Sequence, residues 1–124
     1  MLSEYCIYTI RHSNNLKSAV AKGGMGEYEE EKPWAQGKRL LEEARQQHRR
    51  LAVIFAPAEK TDPLYGWALL DEIVIDGDHT KYSFSALRRF KRPEHKSGLR
   101  KKADGKPISL DSFDLTPSAA LRRS

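Results

Sequence analysis

Two kinds of side chain in this sequence could do chemistry together: aromatic rings and closely spaced cations. Trp34, Tyr65, Trp67, Tyr82, Phe84 and Phe90 lie ahead of or beside a run from Arg88 to Lys106. That run holds Arg88, Arg89, Lys91, Arg92, Lys96, Arg100, Lys101, Lys102 and Lys106, with only Glu94 and Asp104 against them. A base stacked on an aromatic face gains about 1–3 kcal/mol, while Arg and Lys hold its phosphates. A reader of single-stranded or flipped bases needs that combination. The same rings equally suit a hydrophobic core, and the same charges a solvated surface loop.

The charge is unevenly placed. Residues 1–50 carry nine basic and seven acidic side chains, residues 51–87 two and six, and residues 88–124 eleven and four. The formal net charge of +5 is therefore a basic C-terminal third set against an acidic middle. Like charges packed this closely must be solvated or face an anion, because burying them unpaired is costly.

Other chemistry has weaker support. Lys22-Gly23-Gly24-Met25-Gly26 could converge backbone N–H groups on an anion, or be a plain flexible loop; the Walker pattern is absent. With Ser13, Asn14 and Lys17 it could form a polar lip over a cleft. His12, His48, His79 and His95 are scattered and form no metal-ligand spacing. The single Cys6 excludes an internal disulfide framework, and a Cys6–His12 nucleophilic pair has no supporting signature. Asp71 and Glu72 are strand neighbours whose side chains should point to opposite faces, so they do not read as a paired acid and base.

The elements that must position these residues follow from periodicity. With 124 residues, 39% of them hydrophobic, the chain suits one domain spanning 1–124 with a real core. No apolar stretch reaches the roughly 18 residues of a membrane span. The N-terminus lacks a signal-peptide pattern, and a cytoplasmic location is the expectation. Tyr5–Ile10 reads as a strand, and Arg11–Gly26 as a long polar connection with a helical turn near Leu16–Val20. The acidic run Glu27–Glu31 reads as the approach to a helix from Pro33 to about Arg49, with Trp34, Leu41, Ala44 and His48 on one face.

Leu51–Ala56 is a continuous apolar run, as in a buried central strand. Leu64–Ile75 is a second strand in which Gly66 signals a bulge or a close backbone approach. Asp76-Gly77-Asp78 is a hairpin turn, and Thr80, Tyr82 and Phe84 share one face of the next strand. Tyr65 and Trp67, two apart, should also share a face. Ser85 is expected to cap a short turn over Ala86–Phe90. Leu99–Lys102 and Pro107–Leu110 flank a second hairpin signal, and Thr116-Pro117 opens a last short helix. The fold class expected is α+β: a small, mainly antiparallel, partly closed β-barrel with one main helix and short peripheral helices.

The segment Gly66-Trp67-Ala68-Leu69-Leu70-Asp71-Glu72-Ile73, the following turn and Thr80-Lys81-Tyr82-Ser83-Phe84, together with the helix that begins at Trp34, resemble the PUA-like superfamily, and within it the EVE and ASCH domains. The resemblance covers roughly residues 5–115 at the level of element order. It implies a pseudo-barrel that binds RNA or DNA, often at a modified or flipped base, in a cleft bordered by the connection after the first strand. Some ASCH members are small amidohydrolases of acetylated cytidine nucleosides that use a lysine, a threonine and a later strand glutamate. Lys17 and Glu72 stand at the lysine and glutamate positions, while Val20 stands where the threonine is expected.

The leading expectation is a nucleic-acid-binding module, for RNA ahead of DNA, without a cofactor or a membrane partner, and taken as a monomer. Ser13, Asn14, Lys22, Trp34, Tyr65, Trp67, Arg88, Arg89, Arg100, Lys101 and Lys102 would form its interface. One alternative is a small hydrolase of a modified nucleoside, with Lys17 and Glu72 as the acid–base pair and Ser18 as a hydroxyl. That reading requires Lys17 and Glu72 to meet in one pocket. The other is a protein–protein adaptor, which predicts an exposed apolar patch.

Overall fold

The computed structural model describes residues 2–60, 63–91, 99–101 and 114–117. The element order is β1 (Leu2–Arg11), α1 (Ser13–Ala21), β2 (Gly26–Glu30), α2 (Ala35–Gln46), β3 (Arg50–Pro57), β4 (Gly66–Asp76), β5 (His79–Arg89), β6 (Leu99–Lys101) and β7 (Asp114–Pro117). One seven-stranded sheet runs in the order β2-β5-β4-β3-β1-β7-β6. Among the described residues only β1 and β3 pair in parallel, and every other ladder is antiparallel. The domain is α+β with a mainly antiparallel sheet.

β3 forms where the sequence is apolar on both faces, and residues 51–56 are fully buried between β1 and β4. The β4–β5 hairpin closes at Gly77-Asp78, with Asp76 paired to His79 and Gly77 at φ +63°. Gly66 sits against the neighbouring strand: a Cβ there would lie 2.1 Å from the Arg88 carbonyl oxygen. The glycine predicted to mark a close backbone approach marks one.

Side chains curl this sheet further than its ladders do. The Arg11 guanidinium donates to the Glu29 carbonyl, and the Thr9 hydroxyl donates to the Glu30 carboxylate at 3.2 Å. The edge strand β2 therefore lies against the C-terminal end of β1, although β5, β4 and β3 separate them in the sheet order. Tyr28 of β2 also meets Phe55 of β3, ring centroids 6.1 Å apart. Among the described residues no backbone ladder joins β2 to β1. Inside the curl, Ile7, Val53, Phe55, Leu70, Tyr82 and Phe84 pack with Leu16 and Ala19 of α1 and with Leu40, Leu41 and Ala44 of α2. A second cluster contains Cys6, Tyr8, Ala52, Ile54, Leu64 and Trp67, with Phe90 against it. In β1 and β3 the two clusters take alternate residues, as two sheet faces require.

Several expectations are corrected. The connection after β1 is mostly helix: Leu16 and Ala19 supply a buried stripe, and α1 extends over nine residues. Lys22-Gly23-Gly24 then ends it as a Schellman motif, with Gly24 N–H donating to the Ala19 carbonyl and Gly23 N–H to that of Val20. Those N–H groups are spent on the helix and do not cradle an anion. The acidic run is β2, an edge strand whose Glu29 faces Lys81 across the β5 ladder. Charge on an edge blocks pairing with other chains. His48 is exposed beyond the end of α2 at φ 56°, where Arg49 N–H donates to Ala44 and His48 N–H to Arg45; it is not on the apolar face. No turn is capped at Ser85, because β5 runs on to Arg89, bending at Ala86 (φ 58°) where the ladder shifts register. Residues 114–117 form β7, paired with β6, so Thr116-Pro117 lies in a strand instead of opening a helix. The strand expected over Pro107–Leu110 lies outside the described residues, as does Lys102.

Candidate nucleic-acid interface

Three arginines lie on aromatic rings. Arg11 Cζ is 4.4 Å from the Tyr28 ring centroid, Arg88 is 4.5 Å from that of Trp67, and Arg89 is 5.0 Å from that of Tyr65. Each follows from strand pairing. Arg88 is opposite Trp67 in the β4–β5 ladder, and Phe90 N–H donates to the Tyr65 carbonyl, which holds Arg89 beside that ring. Tyr28 belongs to the edge strand that the curl brings to Arg11. Arg88 and Arg89 are exposed, so each ring holds its guanidinium in a plane while the outer face stays in water, whereas Arg11 is half-buried and engages Glu29 and Glu30.

Tyr65 and Trp67 do not share a face. Tyr65 packs in the inner cluster and Trp67 in the second one. β4 begins only at Gly66, so strand alternation does not extend back to Tyr65, whose N–H instead donates to the Phe55 carbonyl. The two rings are 7% and 5% exposed, and consecutive Arg88 and Arg89 cover them from the two sides of the sheet. Trp34 is a core residue: it is 2% exposed, stacked on Tyr82 at 4.5 Å, and its N–H donates to the Thr80 hydroxyl.

Beside Arg11 lies a polar seam. Glu30 Oε1 accepts from Thr9 at 3.2 Å and from the Tyr82 hydroxyl at 3.3 Å, and faces Arg11 Nη2 at 3.6 Å. Burial raises the Glu30 carboxyl above its ordinary range, against the pull of Arg11. Burial also raises Tyr28, which Arg11 lowers and the nearby Tyr65 raises further. Tyr28 packs against the inner cluster that contains Tyr65. Arg11, Tyr28 and Glu30 were missed in the sequence. Glu27-Tyr28-Glu29 alternates with period two, the one local sign of a strand.

The other predicted residues are dispersed. Ser13 donates through its N–H and hydroxyl to Glu59, which these bonds hold at a pKa of about 2. Asn14 and Lys17 are exposed on α1, and Lys22 is exposed at its end. Glu72 is exposed on β4 and pairs with Arg45 at 3.3 Å. No hydrogen bond or ion pair joins it to Lys17 among the described residues, so nothing brings the acid–base pair of the hydrolase reading together. A ladder bulge sits at Asp71, and both acids meet arginines: Asp71 with Arg50 at 3.0 Å, Glu72 with Arg45. Arg100 and Lys101 lie in β6. Cys6 is buried, and its thiol is pushed well up by that burial, which leaves no reactive thiolate for a pairing with His12.

Among the described residues no group of three or more His, Cys, Asp or Glu could hold a metal, and no helix is long and apolar enough to cross a membrane. Among the described residues the exposed large apolar side chains are Val20, Met25 and Val74, on α1, the loop after it, and β4. No protein-family model matches the chain, and no curated protein matches its sequence.

Proposed function

We propose that this chain is a nucleic-acid-binding module with a PUA-like pseudo-barrel fold. The approach of β2 to β1 supports the pseudo-barrel reading. The observation that carries the functional reading is the set of three arginines lying on aromatic rings, two of them at the start of the basic tract. Arg88 and Arg89 have no acidic partner among the described residues, and their guanidinium planes are pre-oriented by Trp67 and Tyr65. A base stacks on such a plane while the N–H edge meets a phosphate. This refines the expected roles: bases meet the outer faces of the arginines, and the rings beneath them act as supports. Arg100 and Lys101 of β6, with Lys102 next in sequence, would supply further phosphate contacts, and single-stranded RNA is the preferred partner.

The test is fluorescence anisotropy with labelled single-stranded RNA and DNA at two salt concentrations. Neutralising several phosphates makes affinity fall about tenfold or more between roughly 50 and 200 mM salt. The double variant R88A/R89A should lose about thirtyfold or more in affinity, with each stacking contact contributing about 1 kcal/mol or more. Absence of binding to either polymer at low salt overturns the proposal, as does unchanged affinity in the double variant.

A further inference from the structure

The sheet has an open edge away from the ring-bound arginines. β3 pairs with β4 only from Gly66 to Leu69, whereas the β4–β5 ladder continues to Asp76 and His79. Among the described residues the second half of β4 therefore has a strand on one side only. A two-residue hairpin closes on a pair that exchanges both main-chain bonds, and such pairs recur at every second residue. Asp76, Val74 and Glu72 thus bond to β5, and the N–H and C=O groups of Ile73 and Ile75 point to the open edge. Among the described residues no ladder, turn or loop bond reaches those groups.

This edge is held ready to pair. Ile73 is buried and Ile75 packs against the inner cluster, which fixes the backbone, while Val74 is 53% exposed. Three β-branched residues in a row favour the extended form. Elsewhere arginines close the edges: Arg11 donates to the Glu29 carbonyl of β2, and Arg45 to the Asp71 carbonyl of β4. Arg45 also pairs with Glu72 and reaches no further along β4 among the described residues. An unpaired, apolar edge of this kind is a template for another strand.

The charge beside it selects the occupant. Glu72, Val74 and Asp76 are exposed and share one face. A second copy of the chain, paired antiparallel about Val74, would set Glu72 against Asp76 twice, acid against acid. A strand carrying a cation meets the same acids favourably, above all Asp76, which has no ion-pair partner among the described residues.

We propose that the β4 edge from Glu72 to Asp76 binds an extended segment of a partner protein by strand addition. The segment places a β-branched residue opposite Val74 and a lysine or arginine opposite Asp76, while its main chain bonds to Ile73 and Ile75. The site shares no residue with the ring-bound arginines and stands independently of the nucleic-acid reading.

The experiment titrates a capped peptide, Lys-Thr-Val-Thr-Lys, into the ¹⁵N-labelled full chain and follows amide shifts. Saturable shifts are expected at residues 72–76 and across the ladder at 79–83. At saturation the Ile73 and Ile75 amides should exchange with solvent at least about fivefold more slowly, the signature of new main-chain bonds. The peptide N-methylated at both threonines loses its donors to this edge and should bind about tenfold more weakly. Glutamates in place of the lysines should weaken binding about threefold or more. Val74→Lys alters an exposed side chain, should keep the folded spectrum, and should weaken binding about fivefold; Asp76→Asn, a milder change, should weaken it about threefold. No saturable shifts at this edge overturns the proposal, as does equal binding of the N-methylated or the glutamate peptide. A dimer in sedimentation that Val74→Lys dissolves would assign the edge to a second copy and overturns it too.

Discussion

The two ends of β3 use arginine in opposite ways. At the end near Phe55, Arg11, Arg88 and Arg89 lie on Tyr28, Trp67 and Tyr65. At the end near Leu51, Arg45 and Arg50 lie on Glu72 and Asp71. A carboxylate neutralises a guanidinium and occupies its donors, whereas a ring orients it and leaves its charge intact. Arg88 and Arg89 are therefore offered to a polyanion as unneutralised, oriented cations, while Arg11 also faces Glu30. At the other end most of the positive charge is spent within the molecule. Charge counting along the sequence cannot separate the two, because both ends consist of arginines.

The largest expected effect is at the ring-bound end. Trp67→Ala removes a buried ring and should cost about 3–5 kcal/mol in chemical denaturation. It also frees Arg88 from its plane, so RNA affinity should fall in whatever fraction remains folded. A loss below about 1 kcal/mol would show that Trp67 is not held as described.

Next comes the seam under Arg11. Glu30→Ala strands the buried Tyr82 hydroxyl and removes the Arg11 partner, so it should cost about 1–3 kcal/mol. Glu30→Gln keeps an acceptor for Thr9 and Tyr82 and removes a charge that burial disfavours, so it should cost less than the alanine variant. Equal losses in urea melts would show that the ion pair with Arg11 outweighs the two hydroxyl bonds.

The acid-paired end should be far more tolerant. Arg50→Ala breaks a half-exposed ion pair and should change stability by about 0–1 kcal/mol, an effect that shrinks further with added salt. A loss as large as that of Trp67→Ala would erase the contrast between the two ends.

The smallest effect concerns Glu59, beside the start of α1. Its folded pKa lies below the ordinary carboxylate value, so its stabilising contribution is complete above about pH 4.5 and is lost as the pH falls through about 2. An NMR titration of its carboxyl should show a midpoint near 2, and Ser13→Ala should move that midpoint upward, because Ser13 supplies the bonds that lower it.

Much of the sheet was legible because its signals are local. The apolar run of β3, the Gly77-Asp78 turn, and the alternation of Thr80, Tyr82 and Phe84 each sit within one window and appear in the structure. Gly66 was readable as a close approach, though not as an approach to Arg88. The candidate site was less legible. Arg88, Arg89, Tyr65 and Trp67 stood out by type, but their pairing into ring-bound cations depends on the β4–β5 register, which bulges twice. Trp34 stood out as a stacking residue and proved to be core, since nothing in its own sequence window reveals Tyr82 across the fold.

By itself, then, the sequence determined an α+β domain with a buried central strand, one long hairpin, one amphipathic helix and a basic C-terminal third. Period and polarity act over a few residues, and neighbouring residues suffice to express them. The tertiary structure decided which acids neutralise which arginines, that Glu27–Glu30 becomes an edge strand, and that Arg11 reaches Tyr28 and Glu30. Those outcomes depend on which strand edge is free and how far the sheet curls, and they join residues at least 17 positions apart through contacts that no local pattern encodes.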